Sequence, residues 1–184
     1  MLTPYTPLLQ LLESYQTTFA EESGFVDRFF ELLIHPRAYH RDHLPGHITG
    51  SAWVVNESRS KILLLHHKKL NRWLQPGGHA DGDANVLQVA MRELEEETGI
   101  RNAKLLTLRI FDLDIHPIPS RKDFPEHFHY DVRFWFEADE ADKIIESDES
   151  HEVKWIEINE LNRFTDNESI HRMVRKSFEG SRSL

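Results

Sequence analysis

Glu93, Glu96 and Glu97 stand at i, i+3 and i+4 in a stretch, Val86 to Ile100, whose apolar residues recur with helical spacing. At about 100° per residue the three share an arc about 100° wide, and Glu95 points elsewhere. Leu87, Ala90, Met91, Leu94 and Thr98 fall on an adjoining arc, the one a core would cover. Like charges at this spacing repel, so the face is either solvated or gathered around a cation. Hard divalent ions, Mg2+ or Mn2+, take oxygen ligands and bind a substrate's phosphates at the same time. Before the helix, Gly77-Gly78-His79-Ala80-Asp81-Gly82-Asp83-Ala84 reads as a tight glycine turn, and Gly99 reads as a helix stop. On the carboxylates alone, the solvated face and the metal site both stand.

Gly78, followed by Arg92-Glu93-Leu94-x-Glu96-Glu97-x-Gly99-Ile100, resembles the Nudix box, the signature of the Nudix hydrolase superfamily. One position departs: the family usually has a glutamate six residues after the glycine, and here that residue is Ala84. Arg92 then lacks its usual partner, and Asp81 or Asp83 is the candidate to stand in. The resemblance covers roughly Ile48 to Phe178 and implies an α/β/α sandwich with a mixed sheet, the box lying at one edge. It implies metal-dependent hydrolysis of a phosphoanhydride in a nucleoside diphosphate linked to another moiety. Glu93, Glu96, Glu97 and the carbonyl of Gly77 would hold Mg2+ or Mn2+, and Arg92 would orient a carboxylate through paired hydrogen bonds. The water's proton would go to Glu93 or to an acidic loop residue, Glu149 or Glu152. Glu93, Glu97, Arg92 and Glu149 are therefore the expected catalytic set. Ala84 favours a second reading, a catalytically silent Nudix domain that senses a nucleotide ligand. The intact glutamate triplet argues against it. An isoprenoid diphosphate isomerase shares the fold, but that chemistry relies on a reactive cysteine and the chain has none.

A second constellation lies in His127 to Phe136, which reads as a strand. Alternation puts Phe128, Tyr130, Val132, Phe134 and Phe136 on one face and His127, His129, Asp131, Arg133 and Trp135 on the other. His116 lies across a loop that also carries Arg121 and Lys122. Cationic and planar side chains of these types suit a diphosphate joined to a base, so His79, His116, His127, His129, Asp131 and Arg133 are the expected substrate contacts. Three roles stay open for the histidines: hydrogen-bonded structural residues, pocket lining, or ligands of a separate transition metal. The last would use His127 and His129 with His116 or His79. His47 is a candidate for the same region.

These side chains need a scaffold, and the rest of the chain supplies one. Helices are expected from about Thr6 to Thr17, from Glu21 to Leu33 and in the box. A capping box, Thr165-x-x-Glu168, opens a last helix to about Phe178. Strands are expected at Ile48–Val55, Lys61–His66, Lys104–Ile115, His127–Phe136 and Glu152–Ile156, with a loop at Pro117–Pro125. Residues 1–45 are read as a helical extension packed on the core and 46–184 as a Nudix-like domain. The 184 residues suffice for one real core. With 31 acidic against 22 basic residues the formal charge is −9, so neither nucleic acid nor an anionic membrane is an expected partner. No apolar run is long enough to span a bilayer and there is no cysteine, so the expected location is the cytoplasm. The resemblance implies a homodimer and a small nucleotide-like substrate.

Overall fold

The computed structural model describes residues 6–121 and 124–180, so Lys122 lies outside the described residues. Two strands form the spine. β1 (Gly46–Val55) is buried at every position and runs parallel to β7 (His127–Glu137), in register from Gly46 opposite Phe128 to Val55 opposite Glu137. β1 and β7 divide their alternate residues between two cores. Ile48, Ala52, Val54, Phe134 and Phe136 join one apolar cluster; Trp53, Val55 and Trp135 join the other. Strands covered on both faces need apolar side chains on both, which explains the nearly continuous burial.

Around this pair, β2 (Lys61–His67) meets β1 only at Val55 opposite Ile62, and β4 (Gly77–His79) takes the earlier part of the same edge. β3 (Arg72–Leu74) and β8 (Ser150–Glu157) flank β2. On the far edge of β7 lie β5 (Lys104–Leu105) and β6 (Asp112–Ile118), completing a mixed sheet of eight strands. The first core takes in α1 (Leu8–Glu13), α2 (Phe25–Leu33) and the box helix α3 (Val86–Thr98). The second lies under α4 (Glu168–Gly180), through Ile170, Met173 and Val174. Helices therefore cover both faces, the expected α/β architecture with a mixed sheet. No helix among the described residues is long and apolar enough to cross a membrane.

Several boundaries differ from expectation. The strand expected over Lys104–Ile115 is two strands, because Leu106 and Phe111 donate to the β7 carbonyls of Trp135 and Arg133 and residues 107–110 bulge out between them. β6 continues to Ile118, so His116 is a strand residue paired with His129. α1 ends at Glu13, and Ala20–Glu22 is a short 3-10 turn separate from α2. The last helix is capped by Asn167, whose Oδ1 accepts from Ser169 N–H at 3.0 Å, and Thr165 caps only the preceding turn. In α3, Met91 is exposed while Val86 and Val89 are buried, so the buried arc is rotated from the expected one toward β1.

Candidate active site

The register of β4 brings the box together. Ser51 pairs with Gly77, Gly50 with Gly78 and Thr49 with His79, so the glycines lie beside β1 where α3 crosses it. A Cβ on Gly78 would stand 2.5 Å from the carboxylate carbon of Glu93, so any larger residue here would push the Glu93 carboxylate from this position. The Gly77 N–H donates to Glu97 Oε2 at 2.9 Å. Asn85 caps α3 by accepting from Gln88 N–H at 3.3 Å. Gly99 ends it in the left-handed conformation, φ 75°, with its N–H on the Glu95 carbonyl.

Arg92 holds the next layer. Its Nη2 donates to Glu93 Oε1 at 2.9 Å and to the His79 carbonyl at 3.0 Å, while Nε lies 3.9 Å from Glu96 Oε1. Neither Asp81 nor Asp83, the candidates to stand in for the glutamate missing at Ala84, hydrogen-bonds Arg92, although each interacts with its charge. Asp81 is taken by Arg41, through Nε to Oδ1 at 2.6 Å and a second contact from Nη2, and Asp83 accepts from Asn85 N–H at 2.8 Å. Arg41 is a residue that the sequence reading missed. It lies before β1, forty positions from its partner, and belongs to no motif; its charge also acts on Glu93 and Glu149.

Burial pushes the Glu97 carboxyl up to about 8, against the hydrogen bond from Gly77, with further repulsion from Glu93, Glu149 and Glu96. Burial also raises Glu93, against its contacts with Arg92. Glu96 is exposed at the outer side of the same face. The expected metal ligands are thus brought together, with Glu149 in electrostatic reach at the start of β8. Glu152 instead pairs with Lys154 at 3.4 Å, opposite His66. The donor set is all oxygen and its carboxylates repel, which fits a hard divalent cation such as Mg2+ or Mn2+.

The odd-numbered residues of β1 and β7 face the α4 side of the sheet. There the imidazoles of His47, His79, His116, His127 and His129 form one cluster. The His47 ring lies 5.0 Å from those of His127 and His129 and 5.1 Å from that of His79; His116 is 5.5 Å from His129. Burial lowers His47 and His79 to about 4 and His129 to about 2; neighbouring imidazoles add to the effect at each, and Arg41 does so at His47 and His79. Asp131 and Arg133, the other two expected substrate contacts, are buried in a charge network. Thr49 and Ser51 donate to Asp131, and Arg133 reaches Asp131 at 2.8 Å, Asp112 at 3.0 Å and Asp114 at 3.2 Å. Burial opposes the Arg133 charge, yet Asp114, Asp131 and Asp112 hold it above its ordinary value. Arg172 and Lys176 of α4 complete the network on Asp112. Alternation found the polar face correctly; nothing in the sequence marked which of its charges were already paired.

Known proteins bear on this geometry. The rat bis(5'-nucleosyl)-tetraphosphatase (asymmetrical) is 29% identical over 109 residues, 58% of this chain and 70% of that one. A probable DHNTP pyrophosphohydrolase of Lactococcus lactis subsp. cremoris is 30% identical over 98 residues, covering 52% of this chain. The matched segment spans 56% of that relative, little more than half its length. Among solved structures, the E. coli dihydroneopterin triphosphate pyrophosphohydrolase superposes with a TM-score of 0.57 at 16% identity. That match covers 70% of this chain and 92% of that one, a likeness of fold. The family model for the NUDIX domain matches residues 46–177, from the first residue of β1 to the last turns of α4, and the chain belongs to that family.

Proposed function

We propose that this chain hydrolyses a phosphoanhydride bond in a nucleoside diphosphate linked to another moiety, using Mg2+ or Mn2+. The observation that carries the proposal is the meeting of Glu93 and Glu97 at the Gly77-Gly78 turn, with the Glu96 charge acting on both and Glu97 raised to about 8 by burial among other carboxylates. Relatives named as a bis(5'-nucleosyl)-tetraphosphatase and a DHNTP pyrophosphohydrolase support it.

Glu93, Glu96, Glu97 and the Gly77 carbonyl are the residues that would hold the ion. When bound, it would neutralise charge on the phosphoryl oxygens and acidify a water. The chain's own part is positioning. Arg92 fixes Glu93 from the side of His79, and Gly77 fixes Glu97 through its N–H. Glu149 is exposed, close enough to act on Glu97 and only loosely paired with Lys69 at 3.8 Å, whereas Glu93 is hydrogen-bonded by Arg92 at 2.9 Å. We therefore assign the proton acceptor to Glu149. His79 and His116, partly exposed at the outer side of the imidazole cluster, are assigned to the substrate. Asp131 and Arg133 support that surface from beneath. Residues 46–184 form the hydrolase domain in this reading, and residues 1–45 a packed extension that contributes Arg41.

The silent-domain reading rests on Ala84. It weakens because Arg92 has other partners, Glu93 and the His79 carbonyl. The test is product release from a panel of nucleoside diphosphate derivatives with Mg2+ or Mn2+, comparing the native chain with Glu97→Gln. Metal-dependent turnover lost on substitution supports hydrolysis. No turnover of any compound, with one of them raising the melting temperature of both proteins, would overturn it in favour of a binding module.

A further inference from the structure

The imidazole cluster is more ordered than a pocket lining requires. One ring nitrogen from each of His47, His127 and His129 lies within 4.8 Å of the others. The backbone enforces this: His47 pairs directly with His129 across β1 and β7, and His127 is two residues along the same face. A tetrahedral ion with bonds of about 2.0–2.1 Å sets its ligand nitrogens roughly 3.3 Å apart. Rotation of the rings out of their present arrangement, in which His47 stacks on His127 at 5.0 Å, would close the site.

The outer contacts of the rings point the same way. His47 Nδ1 faces the His43 carbonyl at 3.4 Å, and His127 Nδ1 faces the Pro125 carbonyl at 3.0 Å. A carbonyl there selects the tautomer with hydrogen on Nδ1 and leaves Nε2 as a free lone pair, the arrangement found behind metal-bound histidines. The Nε2 atoms of His47 and His129 are buried and make no hydrogen bond to any described residue. A buried imidazole nitrogen without a partner costs free energy unless something satisfies it. His116 carries a carboxylate, Asp114 Oδ2, on its Nδ1 at 2.9 Å, and its ring stands beside His129.

We propose that His47, His127 and His129 bind one divalent transition-metal ion of the Zn2+ class, with its fourth position open toward His79 and His116. The site is separate in chemistry from the carboxylate site: imidazole nitrogens favour borderline ions and Mg2+ prefers oxygen. It does not depend on the proposed hydrolysis.

The experiment is a Co2+ titration of the full chain, stripped of metal and kept in excess Mg2+, followed by visible absorption. One equivalent of a nitrogen-ligated, four-coordinate Co2+ spectrum is expected, displaced by Zn2+, retained in Glu97→Gln and lost in His129→Asn. Ring-nitrogen NMR of the native chain provides a check that needs no variant: Zn2+ should move the Nε2 signals of three histidines together. Failure of the native chain to develop the spectrum would overturn the proposal. A spectrum that survives His129→Asn but disappears in Glu97→Gln would overturn it as well, since the ion would then sit on the carboxylates.

Discussion

Replacing Glu97 by glutamine should stabilise the metal-free protein at alkaline pH, although Glu97 is assigned to the metal site. Burial takes its carboxyl from 4.5 up to about 8. A carboxyl raised in this way keeps its proton in the native chain after the unfolded chain has lost it. The native state binds more protons over that window, so stability falls as pH rises from about 4.5 to about 8 and then levels off. Each pKa unit corresponds to about 1.4 kcal/mol, which makes the whole window about 5 kcal/mol. Glutamine has nearly the same shape, accepts the same Gly77 N–H and has no charge to desolvate. It should recover much of that energy, a gain of order 10 °C in melting temperature for a chain of this size. The assay is thermal unfolding by circular dichroism in chelator. The variant and native protein should differ little at about pH 5 and by the full amount at about pH 9. Added Mg2+ should raise the native protein and leave the variant nearly where it was. A variant no more stable than the native chain at about pH 9 in chelator would refute the claim that burial of Glu97 controls this site.

Other perturbations test other contacts. Gly78→Ala introduces a Cβ 2.5 Å from the Glu93 carboxylate carbon and should lower metal-dependent turnover about 100-fold with the fold intact by circular dichroism. Arg92→Ala removes the contacts to Glu93 and the His79 carbonyl; kcat should fall about 10- to 100-fold with little change in melting temperature. Arg172→Met leaves Asp112 with one partner fewer inside the network and should cost about 3–5 kcal/mol in urea unfolding; a loss under about 1 kcal/mol would mean that Arg133 and Lys176 suffice.

The sequence made the parts governed by local rules legible. Glutamate spacing in α3 put Glu93 and Glu97 by the glycine turn, and period-2 alternation in β7 separated the polar face from the apolar one. What escaped depended on partners distant in the chain. Arg133 reads as an open cation until Asp112 and Asp114 arrive from β6, and Arg41 has no meaning until Asp81 folds back to it. Met91 fits the helical stripe by period, but the packing of α3 on β1 favours Val89 and leaves Met91 outside. The division of Lys104–Ile115 into two strands follows from which β7 carbonyls Leu106 and Phe111 reach, a matter of register that no single strand encodes. Thr165 and Glu168 matched a capping box, yet Asn167, one residue before the helix, takes the cap instead.

The three residues of β4 border both the carboxylate face of α3 and the imidazole cluster. Because alternate residues of a strand face opposite sides, Gly78 lies with Gly50 on the α3 side, while Gly77 and His79 lie with Ser51 and Thr49 on the other. Gly78 admits the Glu93 carboxylate on the first side, and the His79 ring joins the imidazoles on the second. The backbone of the same segment holds Glu97 through the Gly77 N–H and Arg92 through the His79 carbonyl. With alanine at position 84, Glu93 is held by Arg92, which is itself anchored on the β4 backbone through the His79 carbonyl.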